Sequence, residues 1–266
     1  MFRTRLLSGI VLVVLAGILV TKGGALLCGA MAVISLIGMF ELYRVMGVES
    51  RAPGAAGYLA CLAYYGMVWL GDESYLTLLA IATLMILMAI YVVTFPEYGT
   101  EQITVAFFGV FYLAVMLSYL YRVRELPDGM YLVWLIFISS WGSDTCAYCV
   151  GMLLGRHKLA PVLSPKKSIE GAVGGVAGAA LLAFLYASFF GDRMQEIASP
   201  QISCVLACAI AAVISEIGDL AASAIKRNHR VKDYGHLIPG HGGVLDRFDS
   251  MIFTAPAIYF ALFFLG

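Results

Sequence analysis

Apolar runs of close to 20 residues recur along nearly the whole chain, and they restrict its fold more than any other feature. A helix crosses the hydrocarbon of a bilayer with about 20 apolar residues, within a range of about 17–25. Nine segments approach or meet that length: 6–21, 24–46, 54–71, 74–95, 102–121, 130–154, 171–190, 200–225 and 248–266. Hydrophobic residues make up 61 % of the 266 residues and charged ones only 13 %, where a soluble domain carries about a quarter charged. The expected fold class is therefore all-α: a polytopic integral membrane protein with about nine transmembrane helices.

Seventeen basic residues balance seventeen acidic ones, so net charge points to no nucleic-acid partner and none is expected. Where the charges sit says more. With the N-terminus in the cytoplasm, thirteen Lys and Arg residues fall on the cytoplasmic side and four (Lys22, Arg122, Arg124 and Arg193) on the other. That asymmetry sets the expected orientation. It places the polar loops 156–170 and 226–247 in the cytoplasm. The start Met1-Phe2-Arg3-Thr4-Arg5 also fits a signal peptide, but no small-x-small site follows it, so the first segment is read as an uncleaved span. The six cysteines fall in apolar runs and are read as small buried hydrophobes, Cys146-x-x-Cys149 included. Near residue 130 the character changes. Residues 1–129 read as transmembrane scaffold, and 130–266, with both basic loops, as the region that holds the functional site.

Acids inside apolar segments are expensive and usually face a cavity or a partner. In the eighth segment Glu216, Asp219, Ser223, Lys226 and Arg227 fall within an arc of about 100° on one helix face. Asp144, in the sixth segment, is a further intramembrane acid; it shares a face with Tyr148, Gly151 and Gly155. The loop that follows the eighth segment holds Lys226, Arg227, Arg230, Lys232, Asp233, Asp246, Arg247 and Asp249, with His229, His236 and His241. Its Gly235, Gly240, Gly242 and Gly243 would let backbone approach a ligand, and turn N–H groups can cradle anionic oxygens. Helix capping would explain one acid at the start of the ninth segment, but not the whole array. The histidine spacings do not suit zinc; hard carboxylates favour magnesium, bound with substrate phosphate. The other loop carries Ser164-Pro165-Lys166-Lys167-Ser168, read as a Pro-stiffened turn with two ammonium groups and two hydroxyls. Gly171, Gly174, Gly175 and Gly178 are spaced for close helix packing. No Walker A motif is present.

Ser223, Lys226, Arg227, Lys232, Asp233, Gly235, Ile238, Pro239, His241, Gly242, Gly243, Asp246, Arg247 and Asp249 form a signature by which the chain resembles bacterial phosphatidate cytidylyltransferase, the CDP-diglyceride synthase family. Asp144-Thr-x-Ala-Tyr148 and Ser164-Pro-Lys-Lys167 resemble the family too. The resemblance implies the reaction CTP + phosphatidate → CDP-diacylglycerol + pyrophosphate, a divalent metal, an all-helical membrane fold and a homodimer.

On that resemblance Asp219 and Asp246 are expected to hold Mg²⁺, with room for a second cation and with Asp249 and Asp144 as further ligand candidates. Lys226, Arg227, Lys232, Arg247, Lys166 and Lys167 are expected on the phosphates of the substrates, and Ser223, Ser164 and Ser168 as hydrogen-bond donors. His241, Gly242 and Gly243 are expected to shape the nucleotide pocket. Two other readings compete: a secondary transporter of an anionic solute, which also uses intramembrane carboxylates, and another membrane CTP-dependent lipid enzyme. The topology has its own consequence. With nine spans, alkaline phosphatase fused to the C-terminus is exported and active; an inactive fusion rejects the orientation.

Overall fold

The computed structural model describes residues 2–71, 73–240 and 242–265. Helices occupy most of them: α1 (Phe2–Lys22), α2 (Gly24–Met46), α3 (Ala52–Leu70), α4 (Leu76–Val93), α5 (Thr100–Gly109), α6 (Met116–Glu125), α7 (Gly129–Leu132), α8 (Trp134–Phe137), α9 (Ser143–Leu154), α10 (Ile169–Phe190), α11 (Pro200–Asn228) and α12 (Leu245–Leu265). Wider π-helical turns over Val110–Val115 and Ile138–Gly142 join α5 to α6 and α8 to α9. Each apolar segment read from the sequence coincides with helix. Among the described residues six helical stretches are long and apolar enough to cross a membrane: Gly24–Met46, Leu76–Val93, Thr100–Glu125, Ile169–Arg193, Pro200–Asn228 and Leu245–Leu265. The chain is thus an all-α protein of membrane type, apart from one hairpin described below.

Two compact units divide it. The first comprises Met1–Ser118 and His229–Arg247, the second Tyr119–Asn228 and Phe248–Gly266. In the first, α2 packs on α3 and α5, and α3 on α4. Four of its buried hydroxyls pair with one another, as a medium without water favours. The hydroxyls of Ser35 and Tyr65 lie 2.9 Å apart and those of Tyr64 and Ser118 2.8 Å apart.

In the second unit α10 lies between α9 and α11, and its glycines allow the approach. A Cβ at Gly174 would come within 2.5 Å of the Val150 Cβ, and one at Gly178 within 2.5 Å of the Cys146 Cβ and Sγ. Cys28, Cys61, Cys204 and Cys208 are buried as expected, but Cys149 is exposed. It sits two residues, about 200°, around the helix from Ala147, which faces Gly175 of α10.

The loop 156–170 also departs from expectation. Ser164–Ser168 is not a turn but a strand, β2, paired antiparallel with β1 (Lys158–Ala160), in register Lys158↔Ser168 and Ala160↔Ser164. Residues 161–163 make the turn. A two-stranded hairpin is marginal alone, and here Glu170 at the start of α10 anchors it. Its carboxylate accepts the Arg156 N–H at 3.0 Å and lies 2.6 Å from His157 Nδ1. The His157 carbonyl accepts the Ile169 N–H.

The glycine contacts yield a stability test. Gly178→Ala overpacks the α9–α10 contact and should cost about 1–3 kcal/mol. Gly66→Ala, with no neighbour within 4 Å of the added methyl, should be neutral or gain up to about 1 kcal/mol of helix propensity. Thermal unfolding in detergent separates the two; equal melting temperatures would mean that the helices simply yield.

Candidate active site

The polar residues collect in two places, one in each unit. In the second unit, α9, β2, α10 and α11 enclose a cavity of about 470 Å³. Asp144, Lys166, Lys167, Ser168, Glu216 and Asp219 all line it, together with Tyr148 and Met152. Five of these six polar residues are sequence-predicted site residues; Glu216 belongs to the predicted stripe. The 3.6-residue period of α11 puts Glu216 and Asp219 one above the other, and both reach one ammonium. Lys167 Nζ lies 2.6 Å from Glu216 Oε2 and 2.7 Å from Asp219 Oδ2. Lys167, expected on a substrate phosphate, therefore neutralises two carboxylates here. Burial alone would pull its pKa down, but the Asp219 and Glu216 carboxylates outweigh burial and hold it above the ordinary lysine range.

Ser168 also has a local task. It is the N-cap of α10, and its Oγ accepts the Gly171 N–H at 3.1 Å. Ser164 is half-buried at the start of β2 and does not line the cavity. Farther along α11, Ser223 is buried, Lys226 half-buried and Arg227 exposed. Asp249, in α12, is buried and accepts the Ser250 N–H at 3.0 Å.

In the first unit the loop after α11 forms a second cavity of about 520 Å³, lined by Lys232, Asp233, His236, Ile238, Gly240, Gly242 and Arg247. Gly240 and Gly242, at φ 79° and 89°, occupy the left-handed region that favours glycine. They let the chain turn back so that Ile238 N–H donates to Gly242 O at 2.9 Å. Among the predicted residues Lys232, Gly242 and Arg247 meet here; His241 lies outside the described residues. The Arg247 Nε is buried and has no hydrogen-bond partner among the described residues, which is costly unless an anion takes it. Asp233 and His236 also line the cavity, though site assignment from sequence passed over them.

Asp246 is 5 % exposed and closes this loop on itself. Its Oδ2 accepts the Tyr234 N–H at 2.8 Å and the Gly243 N–H at 3.0 Å. Helix capping falls instead to Glu41 of α2, which sequence reasoning missed. Its Oε1 accepts Val244 N–H at 3.0 Å and its Oε2 accepts Leu245 N–H at 2.8 Å. The glycines have a different use from the expected one. A Cβ at Gly235 or Gly243 would lie 2.2 or 2.5 Å from a Glu41 oxygen, so these two admit the protein's own carboxylate. The signal was available, because Glu41 stands in an apolar segment as Asp144 and Asp219 do.

Among the described residues no three His, Cys, Asp or Glu side chains form a group able to hold a metal. The donors in the first cavity, Glu216 and Asp219, are hard oxygens. That chemistry fits Mg²⁺, which takes one or two carboxylates and completes its shell with water and phosphate oxygens. The Lys167 pairs lead to a prediction. Since the folded-state pKa is raised, their stabilisation is complete below the ordinary lysine value and is lost as pH climbs through the raised one. Near neutral pH Lys167→Met should therefore lower stability by about 1–3 kcal/mol, and adding Glu216→Gln should recover part of it. Thermal unfolding of the single and double variants checks both.

The profile of the Cytidylyltransferase family matches residues 3–265. A phosphatidate cytidylyltransferase of Bacillus subtilis is 31 % identical over 98 % of this chain and 97 % of its own length. One of Synechocystis is 30 % identical over 96 % of this chain and 94 % of its own, and one of Staphylococcus saprophyticus 30 % identical over 96 % and 97 %. With a match that runs through every helix and both cavities, the chain belongs to the cytidylyltransferase family.

Proposed function

We propose that this protein is a phosphatidate cytidylyltransferase, a membrane nucleotidyltransferase of phospholipid biosynthesis that converts CTP and phosphatidate to CDP-diacylglycerol and pyrophosphate. The observation that carries this reading is the full-length similarity to enzymes of that name. The chemistry of the cavities agrees with it. A phosphate oxygen of phosphatidate attacks the α-phosphorus of CTP, the bond to the β-phosphate bridging oxygen breaks, and pyrophosphate leaves. The lipid phosphate's second pKa is about 6, so it attacks as a dianion without a strong base. Positioning and electrostatics then supply most of the rate.

Lys232 and Arg247, with the unpartnered Arg247 Nε, offer donors to phosphate oxygens. Lys166, in the other cavity, does the same, and Lys226 and Arg227 are assigned to phosphates of either substrate. Ser164, Ser168 and Ser223 are assigned as hydrogen-bonding groups, and Gly242 and Gly243 to the wall of the nucleotide pocket. Asp219 and Asp246 are the carboxylates assigned to Mg²⁺, with Asp144 and Asp249 as further candidates; one Asp246 oxygen already accepts two N–H groups, which fixes how the other can point. Bound Mg²⁺ would neutralise triphosphate charge and stabilise the departing pyrophosphate. We also assign nine spans with a cytoplasmic N-terminus, residence in the bacterial inner membrane and a homodimer, on the basis of the Lys and Arg asymmetry and the family resemblance.

Purified protein given labelled CTP, phosphatidate and Mg²⁺ should release pyrophosphate and a CDP-lipid, and chelation should stop it. Asp219→Asn and Asp246→Asn should each lower kcat by about 10²–10³-fold or more while eluting as folded protein. Near-normal turnover in either variant rejects that residue's assignment.

A further inference from the structure

We propose that Glu41 is a positioning residue of the reaction: from α2 it fixes the conformation of the loop that carries Lys232, Asp233, His236 and Gly242. The inference rests on the functional reading above for its kinetic arm and on geometry alone for its structural arm.

The geometry starts at a helix end. The first turn of α12 has backbone N–H groups without acceptors in the helix. Among the described residues one carboxylate, 203 and 204 positions away, takes those of Val244 and Leu245, one on each oxygen. One turn along the same face of α2, the Arg44 guanidinium donates to the Tyr234 carbonyl at 2.9 Å. Asp246 ties Tyr234 N–H to Gly243 N–H. Both ends of the cavity loop are therefore clamped to one face of α2, and the turn at Gly240 and Gly242 hangs between the clamps.

A carboxylate only 3 % exposed in an apolar segment is unfavourable unless its lone pairs are filled. Each Glu41 oxygen has a backbone donor, so the burial is compensated only while the loop holds this shape. The fit is close as well. Gly235 and Gly243 approach the carboxylate so nearly that neither tolerates a Cβ. A doubly bonded, buried carboxylate cannot swing aside as an exposed side-chain end could. The coupling runs both ways: the loop solvates Glu41, and Glu41 selects the loop conformation. Glutamine keeps the shape of glutamate but sets an NH₂ group against one of the two N–H donors.

The test uses the full chain in detergent with Glu41→Gln, Glu41→Ala, Gly243→Ala and the double variant Glu41→Ala/Gly243→Ala. Amide hydrogen exchange is measured across residues 234–245 and across α3–α5 as an internal reference. The proposal expects faster exchange in 234–245 for every variant, with α3–α5 unchanged in Glu41→Gln. It expects kcat/KM for CTP to fall about 10–100-fold in Glu41→Ala and less in Glu41→Gln. It also expects the double variant to be no worse than the poorer single one, because removing the carboxylate removes what the added methyl strikes. Wild-type exchange in 234–245 for Glu41→Ala overturns it, as do multiplying kinetic losses in the double variant or unchanged kcat/KM beside a loosened loop. Absence of cytidylyl transfer in the wild type would reject the proposed function instead, and the exchange arm would then decide the positioning claim alone.

Discussion

A backbone N–H or C=O without a partner in hydrocarbon costs several kcal/mol, and the rest of this architecture follows from meeting that cost. Over the apolar segments helices meet it within themselves, so side-chain chemistry is free to collect where helices end. Each such end creates donors or acceptors that something must satisfy. At α10 the hydroxyl of Ser168 does so. At the base of the hairpin the Glu170 carboxylate takes the Arg156 and His157 N–H groups. At α12 a carboxylate from α2 does it. Three polar side chains around the sites, Ser168, Glu170 and Glu41, are thus first of all backbone partners, and the loops have defined shapes because of it.

The acids differ in how their charge is balanced, and this sorts them chemically. Glu41 and one oxygen of Asp246 are held by backbone N–H groups, whose positions are fixed by the chain. Glu216 and Asp219 are held by the ammonium of Lys167 at the end of a long side chain on a strand. A backbone donor cannot leave without unfolding the loop, whereas an ammonium on four methylenes moves with rotamer changes. Negative charge in the cavity of the second unit is therefore compensated by a group that can reorient, while the loop of the first unit is compensated rigidly. A polyanion with its own counter-cation suits the first kind of environment; a preformed cradle for phosphate oxygens suits the second.

Much of this was legible in the sequence. The apolar segments located every long helix, because an unbroken run of this length admits no other satisfied backbone in a bilayer. Helical periodicity placed Glu216 and Asp219 on one face, and composition marked both polar loops. The unread parts involve partners distant in sequence. A rule for intramembrane acids singles out Glu41 but does not name Val244 and Leu245. Lys167 reads as a phosphate ligand, and a basic residue in a polar loop carries no sign of the carboxylates 49 and 52 positions on with which it also pairs. The hairpin was missed because Pro165 and two lysines suggest a turn, yet Pro is tolerated on an edge strand, and the anchoring by Glu170 is tertiary.

Glycine illustrates the same limit from the other side. Four glycines in the loop suggested close approach of a ligand, and close approach is indeed what glycine supplies. At Gly240 and Gly242 it supplies a turn through positive φ, and these two line the cavity. At Gly235 and Gly243 what approaches is Glu41, a residue of the protein itself. A glycine motif around an active site therefore records every close approach the backbone must accept, whether from substrate or from a buried side chain that shapes the site. Here the second kind links the loop to the N-terminal helices, so substitutions in α2 acquire a route to the chemistry without touching a substrate.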